Sequence, residues 1–145
     1  MRRDRTRRAD WVAAGVAAGV AAALAIGGPT AMAADNWVKL APLADNSGTL
    51  YLDKDSIERN NDGTVRATSR DAYDAPRKLS DGKAYQYDSR TSLYDCKNER
   101  ILPVSALIQD SQHATLLAKN IDGPRWEAAV PNTEGEAVLR AVCQK

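Results

Sequence analysis

The sequence predicts an exported α+β domain that is mostly β, an antiparallel meander of about six or seven strands followed by one C-terminal helix. Three observations predict this class. Hydrophobic residues alternate in short segments between turn-forming residues, which is the pattern of half-buried strands. After residue 133 the apolar spacing becomes helical. Both cysteines lie downstream of an N-terminal segment that has the features of an export signal.

Residues 1–33 are predicted to be a cleavable signal peptide. Arginines between Arg2 and Arg8 form a basic segment, and Trp11–Ile26 is an uncharged run of 16 residues. Ala31-Met32-Ala33 then provides small residues at the positions that a signal peptidase recognises, so cleavage is expected after Ala33 or after Ala34. The alternative is an uncleaved anchor, although a bilayer span needs about 20 residues. The export route, general secretory or twin-arginine, stays open.

The remaining residues, 34–145, are expected to form a single domain in the periplasm, at the cell surface or outside the cell. Residues 1–33 hold five arginines and two aspartates, so the rest of the chain has a formal net charge of −2, against +1 for the whole chain. This near-neutral balance argues against nucleic-acid binding, which needs a basic excess. No cysteine directly follows the predicted cleavage site, so neither a lipid anchor nor a stable membrane span is expected after cleavage.

The predicted domain begins with three strands separated by turns. Each strand alternates apolar and polar residues. Asp62-Gly63 is a strong hairpin signal because glycine adopts positive φ without strain. One turn of helix is expected at 55–58, between the second and third strands. The three predicted strands are 36–40, 49–53 and about 64–73.

Four further strands are predicted after an open loop at 74–83. The second of these four is the most apolar in the chain. It contains Pro103, which cannot donate a hydrogen bond to a neighbouring strand, so an edge position or a bulge is expected there. The predicted ranges are 84–94, 100–110, 115–119 and about 126–130.

A short helix is predicted to close the domain. Thr133-Glu134-Gly135-Glu136 fits a capping box, in which the threonine hydroxyl and the glutamate carboxylate satisfy backbone donors of the first turn. Val138, Leu139 and Val142 follow at helical spacing and form one apolar stripe.

The two cysteines, Cys96 and Cys143, are predicted to form one structural disulfide. Thiols of a small exported domain are usually oxidised. The bridge would tie the helix to the end of the fourth strand. A redox pair and a zinc site are the alternatives, but redox cysteines usually lie two residues apart, and zinc needs four ligands where the chain offers two cysteines and one histidine.

No catalytic, cofactor-binding or metal-binding motif is apparent, so the protein is predicted not to be an enzyme. His113 is expected to be an exposed histidine in a hairpin turn. Asp53 and Asp55 lack the continuation of a calcium loop. Trp37 and Trp126 are assigned to core packing, with a binding platform as the alternative.

A polar and basic sheet face is the one candidate binding surface. Arg66, Thr68 and Arg70 alternate along the third strand, and Arg90 lies in the fourth. This set, Arg66, Thr68, Arg70 and Arg90, is the predicted partner-binding face for a protein partner. A solvated face without a partner is the alternative.

An ordered set of short segments extends through residues 36–143. In chain order they are Trp37-Val38, Tyr51-Leu52-Asp53 with Asp55-Ser56-Ile57, Tyr73 with Pro76, Tyr94-Asp95-Cys96, Trp126 before Val130-Pro131, and Ala141-Val142-Cys143. In this set the chain resembles the surface-adhesin E family of Gram-negative bacteria.

The resemblance implies a curved antiparallel sheet of about six strands with the helix on its concave side, held there by the disulfide. It implies a binding protein that can form homodimers and binds host matrix or serum proteins such as vitronectin, laminin and plasminogen. The founding family members are lipid-anchored, and the missing cysteine is a departure from them. A soluble periplasmic protein that binds an envelope partner is therefore the alternative function.

Overall fold

A computed structural model of the chain describes residues 36–144, and in this range the strands follow one another in the sheet in chain order. The elements are β1 Trp37–Pro42, β2 Gly48–Arg59, β3 Thr64–Lys78, β4 Ala84–Asp95, β5 Arg100–Gln109, β6 Thr115–Asn120, β7 Glu127–Ala128 and α1 Glu134–Cys143. All pairs are antiparallel, and β7 adds to β5 beside β6. The predicted fold class is confirmed. The predicted signal peptide, residues 1–33, and cleavage at Ala33 or Ala34 lie outside the described residues.

Short turns built around aspartates produce this meander. At the β2–β3 turn the Asn60 amide donates to the Thr64 carbonyl at 2.8 Å, and Gly63 takes a φ of 87°. The Asp62 carboxylate accepts from the Thr64 amide at 2.9 Å. Because these bonds form within a few residues, sequence alone predicts the turn well.

Two strands are longer than predicted. The helical turn expected at 55–58 is wrong, because β2 continues to Arg59 across a bulge. There the Ser56 hydroxyl donates to the Asp53 carbonyl at 2.7 Å and accepts from the Thr68 amide at 2.8 Å. The open loop expected at 74–83 is also mostly wrong, since β3 extends to Lys78 and the turn occupies only 79–83.

The bulge expected at Pro103 is confirmed. The register of β4 with β5 shifts between Ser92, which faces Pro103, and Thr91, which faces Ser105. Val104 has no partner on β4, and its carbonyl accepts from the Ile121 amide instead. A bulge of this kind bends its strand and increases the local twist.

The core lies between one face of the sheet and α1, and we call this side the helix-bearing face. Apolar side chains of β2, β3 and β4 pack against the stripe Val138, Leu139 and Val142. The sheet residues of this core are Leu50, Leu52, Val65, Ala67 and Tyr94. Burial of so many apolar side chains on one side fixes which face of each strand turns inward.

Both ends of α1 are fixed by specific contacts. The Thr133 hydroxyl accepts from the Glu136 amide at 3.3 Å, as the capping box requires. The Glu136 carboxylate reaches the amide of Asn132 rather than that of Thr133. At the other end the predicted disulfide Cys96–Cys143 is present, with a Cα–Cα distance of 5.5 Å.

Candidate functional site

The second face of the sheet, which we call the open face, lies away from α1. One cross-strand row on it runs through all six long strands: Lys39, Tyr51, Arg70, Ser89, Leu107 and Ala118. Directly paired residues of antiparallel strands point to the same side. The one helix among residues 36–144 packs on the other side and does not cover the open face.

The structure divides the predicted partner-binding face. Arg66, Thr68 and Arg70 do share the open face, because they alternate along β3. Arg90 pairs with Ser69, whose side chain has the opposite parity, so Arg90 lies on the helix-bearing face. Including Arg90 in the set was wrong, because alternation defines faces within a strand while only the register relates two strands.

Arg70 is the centre of a layered cluster on the open face. Its guanidinium carbon lies 4.0 Å from the centre of the Trp37 ring and 5.3 Å from the centre of the Tyr87 ring. Tyr87 stacks in turn on His113, with ring centres 4.5 Å apart and planes at 12°. We call these four residues, Trp37, Arg70, Tyr87 and His113, the Arg70 stack. Cation–π contacts of this geometry favour a fixed guanidinium plane.

Hydrogen bonds hold the Arg70 stack in place. The Arg70 Nε donates to the Ser89 hydroxyl at 3.0 Å, and one terminal nitrogen donates to Gln109 Oε1 at 3.4 Å. The Gln109 side-chain amide donates to the His113 carbonyl at 2.8 Å. The cluster is thereby ordered before any partner arrives, which lowers the entropy cost of binding.

One of the stack residues, Trp37, differs from its sequence-based assignment. Trp37 is not a core residue, since it belongs to the open face and is half-buried under Arg70. His113 lies exposed in the β5–β6 turn as predicted, with a φ of 61°, and its ring also contributes to the stack.

Trp126 is not a core residue either. It is 36% exposed, and the Arg100 guanidinium carbon lies 5.3 Å from its ring centre. The strand predicted at 126–130 is reduced to the two residues of β7, so alternation there does not lead to burial.

A second candidate site is a cavity of about 530 Å³ on the helix-bearing face, beside α1. One cross-strand row crosses it: Leu50, Asp71, Asp88, Ile108 and Leu117. The row is apolar in the core, acidic in its middle and apolar again toward β6. The cavity therefore combines a charged floor with an apolar wall.

The acidic floor is unusual in its electrostatics. Burial raises the pKa of Asp71 to about 6, and the nearby Glu134 and Asp88 carboxylates add to this while Arg90 opposes it. Asp88 accepts a hydrogen bond from Arg90 through Oδ2 at 2.9 Å, whereas its buried Oδ1 has no hydrogen-bond partner in the described part of the chain. Because the folded state favours the protonated carboxyl, Asp71 lowers the free energy of unfolding as the pH rises from 3.8 to about 6, and the loss stays constant above that.

A metal centre is not found in residues 36–144. No group of three or more potential metal ligands comes together in this range. The single helix of the described segment is also not one that could cross a bilayer, because it is too short and too polar.

Sequence reasoning missed both the Arg70 stack and the cavity. The stack joins β1, β3, β4 and the β5–β6 turn, so only the register reveals it. The sequence contains one signal for the cavity. Asp71 has the same parity along β3 as Val65 and Ala67, so its carboxylate lies on the apolar side of that strand. A charge in that position needs either a partner or a function.

Comparison with known proteins gives one family and one group of structures. A family profile described as surface-adhesin protein E matches residues 37–144. Crystal form II of protein E of Haemophilus influenzae is similar with a TM-score of 0.56 and 19% identity, covering 73% of this chain and 95% of that one. Protein E of non-typeable Haemophilus influenzae is similar with a TM-score of 0.56 and 15% identity, covering 80% of each chain. No curated protein sequence matches the chain. At these identities the structures support the fold alone.

Proposed function

The chain belongs to the surface-adhesin protein E family, and from this premise we propose that it is an exported, non-catalytic binding protein that contacts a protein partner through its open face. The observation that carries the proposal is the Arg70 stack. Tryptophan, tyrosine and arginine are the residues that most often dominate the energy of protein interfaces. Here they form one ordered cluster on a face that the helix leaves uncovered.

The open face also has a polar and basic margin. Arg66 and Thr68 lie on it beside Arg70, and the Thr68 and Thr91 hydroxyls are 2.9 Å apart across the strands. An aromatic and arginine centre with a polar surround is the usual composition of a protein-binding patch. The predicted partner-binding face is thus retained as Arg66, Thr68 and Arg70, with Trp37, Tyr87 and His113 added.

The partners we propose are host matrix or serum proteins, with vitronectin, laminin and plasminogen as the first to test, because the family is one of surface adhesins. The competing function is binding of an envelope protein in the periplasm through the same face. A second copy of the chain is a further possible occupant of the open face, and size-exclusion chromatography with light scattering distinguishes it.

Replacing Arg70 by glutamine is the direct test of the open face. We expect Arg70→Gln to weaken binding to the immobilised host protein by about 2 kcal/mol, roughly 30-fold, because the centre of the stack is lost. Surface plasmon resonance on vitronectin, laminin and plasminogen gives the measurement. The matched control is Lys78→Gln, which removes one positive charge from the exposed end of the same strand.

The control variant is expected to bind like the parent, and both variants should keep the parent's circular dichroism spectrum. Binding of Arg70→Gln at the parent's affinity would show that the open face is not the contact surface. Absence of binding to all three proteins would remove them as partners and favour the periplasmic alternative.

A further inference from the structure

We propose that the cavity beside α1 is a binding site for a small organic cation, a molecule that joins an ammonium or guanidinium group to an apolar body. This inference concerns the helix-bearing face and does not rest on the function proposed for the open face. It is carried by the size of the cavity, the distribution of its apolar and acidic walls, and one unpaired carboxylate oxygen.

The cavity has the size and wall of a small-molecule site. Its volume of about 530 Å³ lies within the range of about 300–1,000 Å³ that is typical of such sites. The wall formed by β5, β6 and the segment before α1 is mainly apolar, and Leu117 and Val130 there are 39% and 60% exposed. An apolar ligand body placed against Ile108, Leu117 and Val130 would remove this surface from water.

The two aspartates of the cavity floor are incompletely paired. Asp71 and Asp88 are direct cross-strand partners, so their carboxylates lie side by side. Arg90 satisfies only the Oδ2 oxygen of Asp88, and the buried Oδ1 has no donor within residues 36–144. A buried acceptor without a donor is costly. A cation held beside the two carboxylates would stabilise their negative charge.

The charge of the lining selects a cation. Four carboxylates line the cavity, from Asp71, Asp88, Glu127 and Glu134, against two basic side chains, Arg90 and Lys119. Arg90 is already paired with Asp88 at 2.9 Å. The excess of negative charge attracts an ammonium or guanidinium group and repels an anion.

The buried position of Asp71 gives the site a pH dependence. Burial raises the pKa of Asp71 to about 6, so this carboxylate is charged at pH 7.5 and largely neutral at pH 5. The charged groups that face it are Asp88 and Arg90 of β4, Glu134 of α1 and Arg77 of β3, with Lys119 and Glu127 on the same cavity wall. Affinity for a cation is therefore expected to rise as the pH increases through 6.

The test is an NMR titration of the protein with benzylamine, using benzyl alcohol and benzoate as the neutral and anionic analogues. We expect benzylamine to shift the amide signals of 88–90, 106–108 and 117–119. The expected dissociation constant is on the order of 1 mM, the scale available to eight non-hydrogen atoms. Benzyl alcohol should bind about tenfold more weakly, since it lacks the charge-assisted hydrogen bond.

Three variants assign the effect to the cavity. Asp71→Asn should weaken benzylamine binding about tenfold and abolish its pH dependence, and it should fold well because it removes a buried charge. Lys119→Gln should strengthen binding about twofold by removing a repelling charge. Asp74→Asn, an exposed carboxylate of β3 that does not line the cavity, should leave the affinity unchanged.

Equal binding of benzylamine and benzyl alcohol would overturn the proposal, as would an affinity that Asp71→Asn and Lys119→Gln both leave unchanged. The absence of any shift at 20 mM benzylamine would also overturn it. None of these results bears on the open face, whose test is the Arg70→Gln comparison.

Discussion

Removal of the Cys96–Cys143 disulfide is expected to lower the free energy of unfolding by about 4 kcal/mol. The bridge closes a loop with a sequence separation of 47 residues, and the entropy of that loop in the unfolded chain gives the estimate. It also holds the last turn of α1, where Val142 is almost fully buried. The change to make is the double variant Cys96→Ser/Cys143→Ser, which leaves no free thiol, and urea denaturation gives the free energy of unfolding.

The parent protein in a reducing buffer is the matched control and should unfold at nearly the same urea concentration as the double variant. A loss of this size approaches the whole stability of a domain of about 110 residues. The variant is therefore expected to be partly unfolded at 37 °C. A decrease of less than about 1 kcal/mol in the free energy of unfolding would mean that the packing of α1, and not the closed loop, stabilises the domain.

The second large effect is expected from Gly48→Ala, with a loss of about 3 kcal/mol in the free energy of unfolding. Gly48 is the buried first residue of β2 and pairs with Tyr73. A Cβ atom at this position would collide with the Ala72 carbonyl oxygen and lie 2.9 Å from the Ala72 carbonyl carbon. These are backbone atoms, so no rotamer change relieves the contact, and the two strands must separate beside the core residue Leu50.

Gly135→Ala is the matched control for this variant. The new Cβ would lie 2.9 Å from Ile101 Cδ1, the end of a flexible side chain, and alanine favours a helix more than glycine does. We expect Gly135→Ala to unfold within about 1 kcal/mol of the parent in the same urea experiment. Equal stabilities of the two variants would show that the β2–β3 pair can move apart at Gly48 without cost.

Local signals predict most of this fold. Alternation and the Asp62-Gly63 turn place the strands in their correct order, and the capping residue Thr133 places the start of α1. Local signals do not predict the ends of β2 and β3. The tendency of 55–58 to form a helical turn is overridden by pairing with β3 and by the Ser56 hydroxyl, which accepts from the Thr68 amide. The tendency of Pro76 to end a strand is overridden by the pairing of β3 with β4. Strand ends of this kind depend on partners that are distant in sequence.

The candidate site is harder to predict from sequence than the fold, because it depends on the register between strands. Arg66, Thr68 and Arg70 share one face, as their alternation along a single strand predicts. Arg90 was misplaced, and the contact between Arg70 and Trp37 was missed, because each depends on the register between strands. A one-residue change of register would exchange the two faces of a strand.

Protease shaving of intact cells tests most directly the claim that this is an exported, adhesin-like protein that presents its open face to partners. Cells that produce the protein are treated with protease and immunoblotted for the domain of residues 36–144, and lysed cells serve as the control that the protease cuts it. We predict that the domain disappears from intact cells. Protection in intact cells, together with release by osmotic shock, would place the domain in the periplasm and contradict the adhesin function.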